Sequence, residues 1–150
     1  MYLVMYRELI AKFIKNIDSA KLQEPCSEVE IASAEKYVGF PFPEELKSLL
    51  RETNGDCWLL MSAAQIIKNV KLNREILADA FDDIDEFNKK VDCHIFFATN
   101  GCGDYYCYRV LPSGEVDTTA IYMWEHETFE HHVVAKNISD LICKYYNDEV

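Results

Sequence analysis

Among the six cysteines of this 150-residue chain, no two stand in a Cys-x-x-Cys pair, so the spacing that marks a structural zinc site or a redox dithiol is missing. No stretch approaches the roughly 20 consecutive apolar residues that a transmembrane helix requires. The first segment, MYLVMYRELIAKFIKN, carries Arg7 and Glu8 inside its apolar stretch and lacks the uninterrupted hydrophobic region of a signal peptide. Cations are also scarce: 15 Lys and Arg stand against 26 Asp and Glu, for a net charge of −11. That balance argues against direct binding of nucleic acid, whose phosphates must be neutralised, and against adhesion to an anionic membrane. Internal repeats, linkers and low-complexity tracts are not found.

What is present suits one folded domain over residues 1–150. With 49% hydrophobic and 13% aromatic residues, the chain has enough apolar material for a core, and a domain of this length buries roughly 70% of its unfolded surface. Without an export signal the expected location is the cytoplasm, where Cys26, Cys57, Cys93, Cys102, Cys107 and Cys143 stay reduced. The acidic excess favours a basic partner, or serves solubility alone.

Tyr6, Leu9, Ile10, Phe13, Ile14 and Ile17 fall at helical spacing on one face. Ser27 and Glu30 form an S-x-x-E capping box for a second helix, which Gly39 stops in left-handed backbone. Pro43 suits the first turn of a third helix, Glu44 and Glu45 complement its dipole, and Asn54-Gly55 ends it. Cys57–Leu60 reads as a short buried strand, and Ser62 as the cap of a helical turn through Ile67. Lys71–Asp92 reads as one or two short peripheral helices around the acidic run Asp82-Asp83-Ile84-Asp85-Glu86. Strands are expected over Cys93–Thr99, Tyr105–Leu111, Thr119–Glu125 and Glu130–Ala135, with turns at 100–104, 112–115 and 126–128. Ser139 is expected to cap a last helix. Helices, then a meander of hairpin-linked strands, then one helix make an α+β domain with a twisted antiparallel sheet.

Several stretches tempt a chemical reading. Trp124-Glu125-His126-Glu127-Thr128-Phe129-Glu130-His131-His132 glances at a zincin motif, but that motif needs two His four apart on a helix. His126 and His131 are five apart, between strand-like flanks. Gly101-Cys102-Gly103-Asp104 lacks the Lys-Ser/Thr of a phosphate-binding loop and opens a strand. No Cys is marked as an activated nucleophile, and Asp104 beside Cys102 opposes activation. No catalytic residue, metal or cofactor is therefore expected. The acidic residues Asp82, Asp83, Asp85 and Glu86, extended on the sheet by Asp104, Glu125, Glu127 and Glu130, are candidates for docking a basic surface. Tyr105, Tyr108 and Tyr122 are candidate aromatic anchors, although about half of the tyrosines alternating along a strand should face the core.

The order of these motifs resembles the SUKH superfamily from about Ser27 to Tyr146. The pieces are Glu30-Ile31 and Glu35, then Gly39-Phe40-Pro41-Phe42-Pro43-Glu44-Glu45-Leu46, then Asn54-Gly55. Gly103-Asp104-Tyr105-Tyr106-Cys107, Trp124-Glu125-His126-Glu127 and the final helix follow. The chain departs from the pattern at Lys71–Asp92, which is longer and more charged, and at Asn100-Gly101-Cys102-Gly103. The resemblance implies an α+β fold without catalytic residues, and structural roles for Glu35, Gly39, Pro43, Asn54, Gly55, Gly103, Trp124 and His126. It also implies a bacterial immunity protein that binds a cognate toxin domain, many of which act on nucleic acids, or else a regulator of the kind found in fungal cell-wall synthesis. A metal-dependent hydrolase built on His126, His131 and His132 is a third reading. No residue decides the oligomeric state, and a dimer paired through a sheet edge stays open.

Overall fold

A computed structural model describes residues 5–150. Helices α1 (Tyr6–Ile14), α2 (Glu28–Val38), α3 (Glu44–Glu52) and α4 (Ala63–Ile76) come first. A 3-10 turn (Leu77–Ala80) and α5 (Ile84–Lys90) lead into β1 (His94–Thr99), β2 (Tyr105–Arg109), β3 (Ile121–Trp124) and β4 (His131–Ala135), and α6 (Ile138–Tyr146) ends the fold. The strands form one antiparallel sheet in sequence order, the α+β meander expected from hairpin-length connections.

Local chemistry explains the helix boundaries. The Ser27–Glu30 capping box is complete, with both hydrogen bonds at 3.1 Å, and Gly39 closes α2 at φ +92°. Glu35 on the last turn of α2 accepts the Phe42 amide at 2.7 Å and pairs with Lys47 at 3.3 Å. It thereby holds the Phe40–Pro43 turn from which α3 starts. Asn54 Oδ1 accepts the Ala63 amide at 2.8 Å, and Ser62 with Gln65 forms a second capping box. The Asn54-Gly55 pair thus ends α3 and fixes the start of α4.

The sheet separates two apolar clusters. α1–α4 and α6 cover one face, over Phe97, Tyr106 and Tyr108. On the other face Phe96, Cys107 and Trp124 are buried by Phe87 and Val91. Ordinary alternation sends the consecutive Phe96 and Phe97 to opposite clusters, and the register shift between Phe96 and Ala98 lets Ala98 join Phe97 in the helix-covered one.

Four expectations are corrected. The longest helix, α4, runs 14 residues to Ile76, where one turn and then peripheral helices were expected. Its buried side is only Ala63, Ile66, Asn69 and Val70, a sparse stripe among charges. Nor is the segment after it peripheral: with α5 it roofs the second sheet face. Cys57–Leu60 is no strand. Only Leu60 bridges to Ala98, because the Asp56 carboxylate gathers the amides of Trp58, Leu59 and Leu60 into a turn. Finally, Asn137 caps α6 by accepting the Asp140 amide at 2.8 Å, so Ser139 lies inside the first turn.

Candidate partner-binding face

At one end of the sheet the β1–β2 turn meets the β3–β4 turn. Asp104 Oδ1 accepts the His126 backbone amide at 3.0 Å and lies 2.7 Å from the ring Nδ1. The His126 ring rests on Gly103, where an added Cβ would come within 3.0 Å of it, and Gly103 itself sits at φ +98°. Side-chain bulk and backbone conformation therefore both require glycine there. Burial alone would raise the Asp104 carboxyl, but hydrogen bonds from the His126 amide and ring, helped by Asn100, hold it below the usual range. Asp104 is thus a carboxylate at neutral pH.

Two hollows share His126. One, of about 320 Å³, is lined by Cys102, Asp104, Glu125, His126, Glu127 and Thr128: three carboxylates and no Lys or Arg. The other, of about 280 Å³, is more apolar, with Leu72 and Ile76 from α4 facing Tyr105, Trp124 and Phe129. Ile76 is 62% exposed and Leu72 42%. An acidic hollow thus lies beside an exposed apolar one.

Of the candidate residues, Asp104, Tyr105, Glu125 and Glu127 come together here, with Gly103, Trp124 and His126. Asp82, Asp83, Asp85 and Glu86 are all exposed but lie on the segment that roofs the sheet. The structure does not bring them into either hollow; only Phe81, just before them, touches that end of the sheet, its ring 5.1 Å from that of Phe129. Two of these four acids also serve locally: Asp83 caps α5 through the Asp85 amide, and Glu86 pairs with Lys90 at 3.6 Å. Tyr108 is not an anchor. It is 1% exposed and donates to Glu45 at 2.6 Å, because its place on β2 points it into the helical core. Tyr122 is half-buried and donates to Asp117 at 2.9 Å. Leu72, Ile76 and Phe129 escaped the sequence reading; the signal for the first two was the length of α4.

The three histidines of the hydrolase reading do not converge. His126 is engaged by Asp104. His131 Nδ1 lies 3.0 Å from Nε2 of the buried His94, and His132 is exposed on the opposite side of β4. Asp104 does orient His126 as an acid–base pair would be oriented. However, among the described residues no nucleophile hydrogen-bonds to its Nε2, and no three metal-ligating side chains cluster.

The sequence matches the SMI1/KNR4 family (SUKH-1) over residues 25–144. The chain belongs to this family. Members generally act without catalysis, as immunity or regulatory proteins. The match begins just before α2 and ends within α6, leaving α1 outside it. Within it, Glu35, Gly39, Asn54, Gly55 and Gly103 hold turns and helix ends. Trp124 is buried, with its indole donating to the Lys90 carbonyl at 2.8 Å. No helix among the described residues is long and apolar enough to cross a membrane. A comparison with curated proteins finds no match.

Proposed function

We propose that this protein is an immunity-type inhibitor. It binds a basic toxin domain in the cytoplasm of the producing bacterium and covers the toxin's active site. The observation that carries the reading is the hollow walled by Asp104, Glu125 and Glu127 without a cation, beside the exposed Leu72–Ile76 side of α4. Family membership and the net charge of −11 agree with it. A nuclease target fits best, because a phosphate-binding cleft is lined by cations that carboxylates can occupy in place of substrate. Inhibition would be steric and electrostatic, with no bond made or broken, and would need no cofactor, nucleic acid or membrane. A regulator or scaffold on the same fold is the second reading, and family membership alone favours it equally.

Capture of the tagged protein from its own cells at low and then moderate salt tests the choice. One basic partner with a toxin-like domain, released by salt, supports inhibition. Recovery of wall-synthesis or signalling proteins supports the regulator. With the partner in hand, amide substitutions of Asp82, Asp83, Asp85 and Glu86 together, or of Glu125 and Glu127, should slow association about tenfold at low ionic strength and flatten its salt dependence. Unchanged association rates would remove the altered patch from the account.

A further inference from the structure

The chain has two tryptophans, and they are placed in opposite ways: Trp124 is 1% exposed, Trp58 44%. Trp58 stands on a loop held from several sides. Oδ1 of the fully buried Asp56 accepts the amides of Trp58, Leu59 and Leu60 at 2.9, 2.9 and 2.8 Å. The Asp56 carbonyl accepts the Lys21 amide at 2.7 Å, and the Leu59 carbonyl accepts the Thr99 amide at 2.9 Å. Cys57, immediately before the tryptophan, sits at φ +62°, a conformation that side chains avoid and that persists only where its surroundings enforce it. The loop keeps this unfavourable residue and turns a large indole toward solvent.

Further aromatic rings, on α6 and α1, lie on the same side of the molecule as Tyr145. The Trp58 side chain reaches the neighbourhood of the Tyr145 hydroxyl and opposes the upward shift that burial gives that group. Tyr145 lies edge-on to Tyr146 at 5.0 Å, and Tyr146 stacks on Phe13 at 5.0 Å. Carboxylates flank the set. The Asp148 amide donates to the Tyr145 carbonyl at 3.3 Å, and Asp104 stands two residues before the buried Tyr106, whose ring is 6.2 Å from that of Tyr145.

We propose that Trp58 is an anchoring contact for the protein partner and that it receives a Lys or Arg side chain of that partner. The indole face is the strongest cation acceptor among side chains. A rigid, pre-ordered aromatic loses little entropy on binding. The flanking acids and the chain's excess of negative charge select a cation over an apolar or anionic group. The inference rests on the reading of a basic protein partner and names where that partner is gripped.

The test uses the 15N-labelled chain and its two indole N–H resonances, with a defined probe at low salt. The probe is the peptide acetyl-Gly-Arg-Gly-Arg-Gly-amide, and its twin carries neutral citrulline at both arginines. The Trp58 resonance should shift saturably, with at least tenfold tighter binding for the arginine peptide, while the Trp124 resonance stays in place as an internal control of folding. The variant Trp58→Leu should abolish the response at neighbouring Tyr145 with its other backbone resonances unmoved. Equal responses to the two peptides overturn the proposal. So does a silent Trp58 with shifts confined to Asp104, Glu125 and Glu127, although that pattern leaves the acidic-face reading standing. Silence everywhere overturns the anchor alone, because capture of a toxin domain judges the inhibitor reading separately.

Discussion

Replacing Asp56 with alanine removes the acceptor of three amide hydrogen bonds while leaving the sheet and helices untouched. The Trp58 amide can turn to water, whereas those of Leu59 and Leu60 are buried. A buried donor without a partner costs about 1–3 kcal/mol, so two of them, partly relieved by relaxation, place Asp56→Ala at about 3 kcal/mol. In a domain of this size that corresponds to a melting point lowered by about 6–12 °C. Asp56→Asn keeps the accepting oxygen and should stay within about 1 kcal/mol of the parent. The two variants also separate charge from geometry. Burial raises the Asp56 carboxyl, against the opposing pull of its backbone hydrogen bonds. The folded chain therefore takes up this proton at higher pH than the unfolded chain. The group's contribution to stability thus falls as pH rises through its folded-state value, and Asp56→Asn should erase that slope. Urea unfolding followed by circular dichroism between pH 4 and 8 measures both effects. An alanine variant that loses less than about 1 kcal/mol, or an asparagine variant as damaged as alanine, would refute the view that hydrogen bonding to one carboxylate builds this loop.

Glycine-to-alanine changes should rank by what the new methyl meets. Gly55 faces backbone atoms at 2.8–3.1 Å, Gly103 faces the movable His126 ring at 3.0 Å, and Gly39 faces open space, all at positive φ. Thermal melts should therefore show losses of about 3, 2 and 1 kcal/mol respectively, and a Gly39 variant as damaged as Gly55 would break the argument. His94, desolvated and facing His131, has its pKa lowered to about 4 from an ordinary 6.5. The folded state favours its neutral form, so this stabilisation is complete above pH 6.5 and is lost as pH falls toward 4, by on the order of 3 kcal/mol. His94→Gln should flatten that acid limb in denaturant titrations at successive pH values.

Much of the fold was legible because its signals are local. A capping box such as Ser27–Glu30, a left-handed glycine such as Gly39 and a hairpin turn such as Pro112–Glu115 involve residues within a few positions of one another. Their physics is complete before the chain folds. The strands after residue 92 could be read for the same reason. The candidate face was only partly legible. Asp104, Glu125 and Glu127 were visible as acids, but their meeting with Leu72 and Ile76 depends on how far α4 extends, and α4 buries too few residues to announce itself. Tyr108 failed as an anchor because alternation along a strand shows that neighbouring tyrosines part, not which of them enters the core.

By itself the sequence determined the fold class, both ends of α2, the start of α4, the strand order and the charge that a partner must answer. Tertiary structure decided what those residues do. It set His126 on Gly103 under the hold of Asp104, buried His94 against His131, sent Leu77–Val91 across the second face of the sheet, and lifted Trp58 into solvent on a loop whose backbone is bonded to Lys21 and Thr99. Each of these joins groups far apart in the chain. Their energies exist only once packing has brought them together and excluded water, and no local pattern records that.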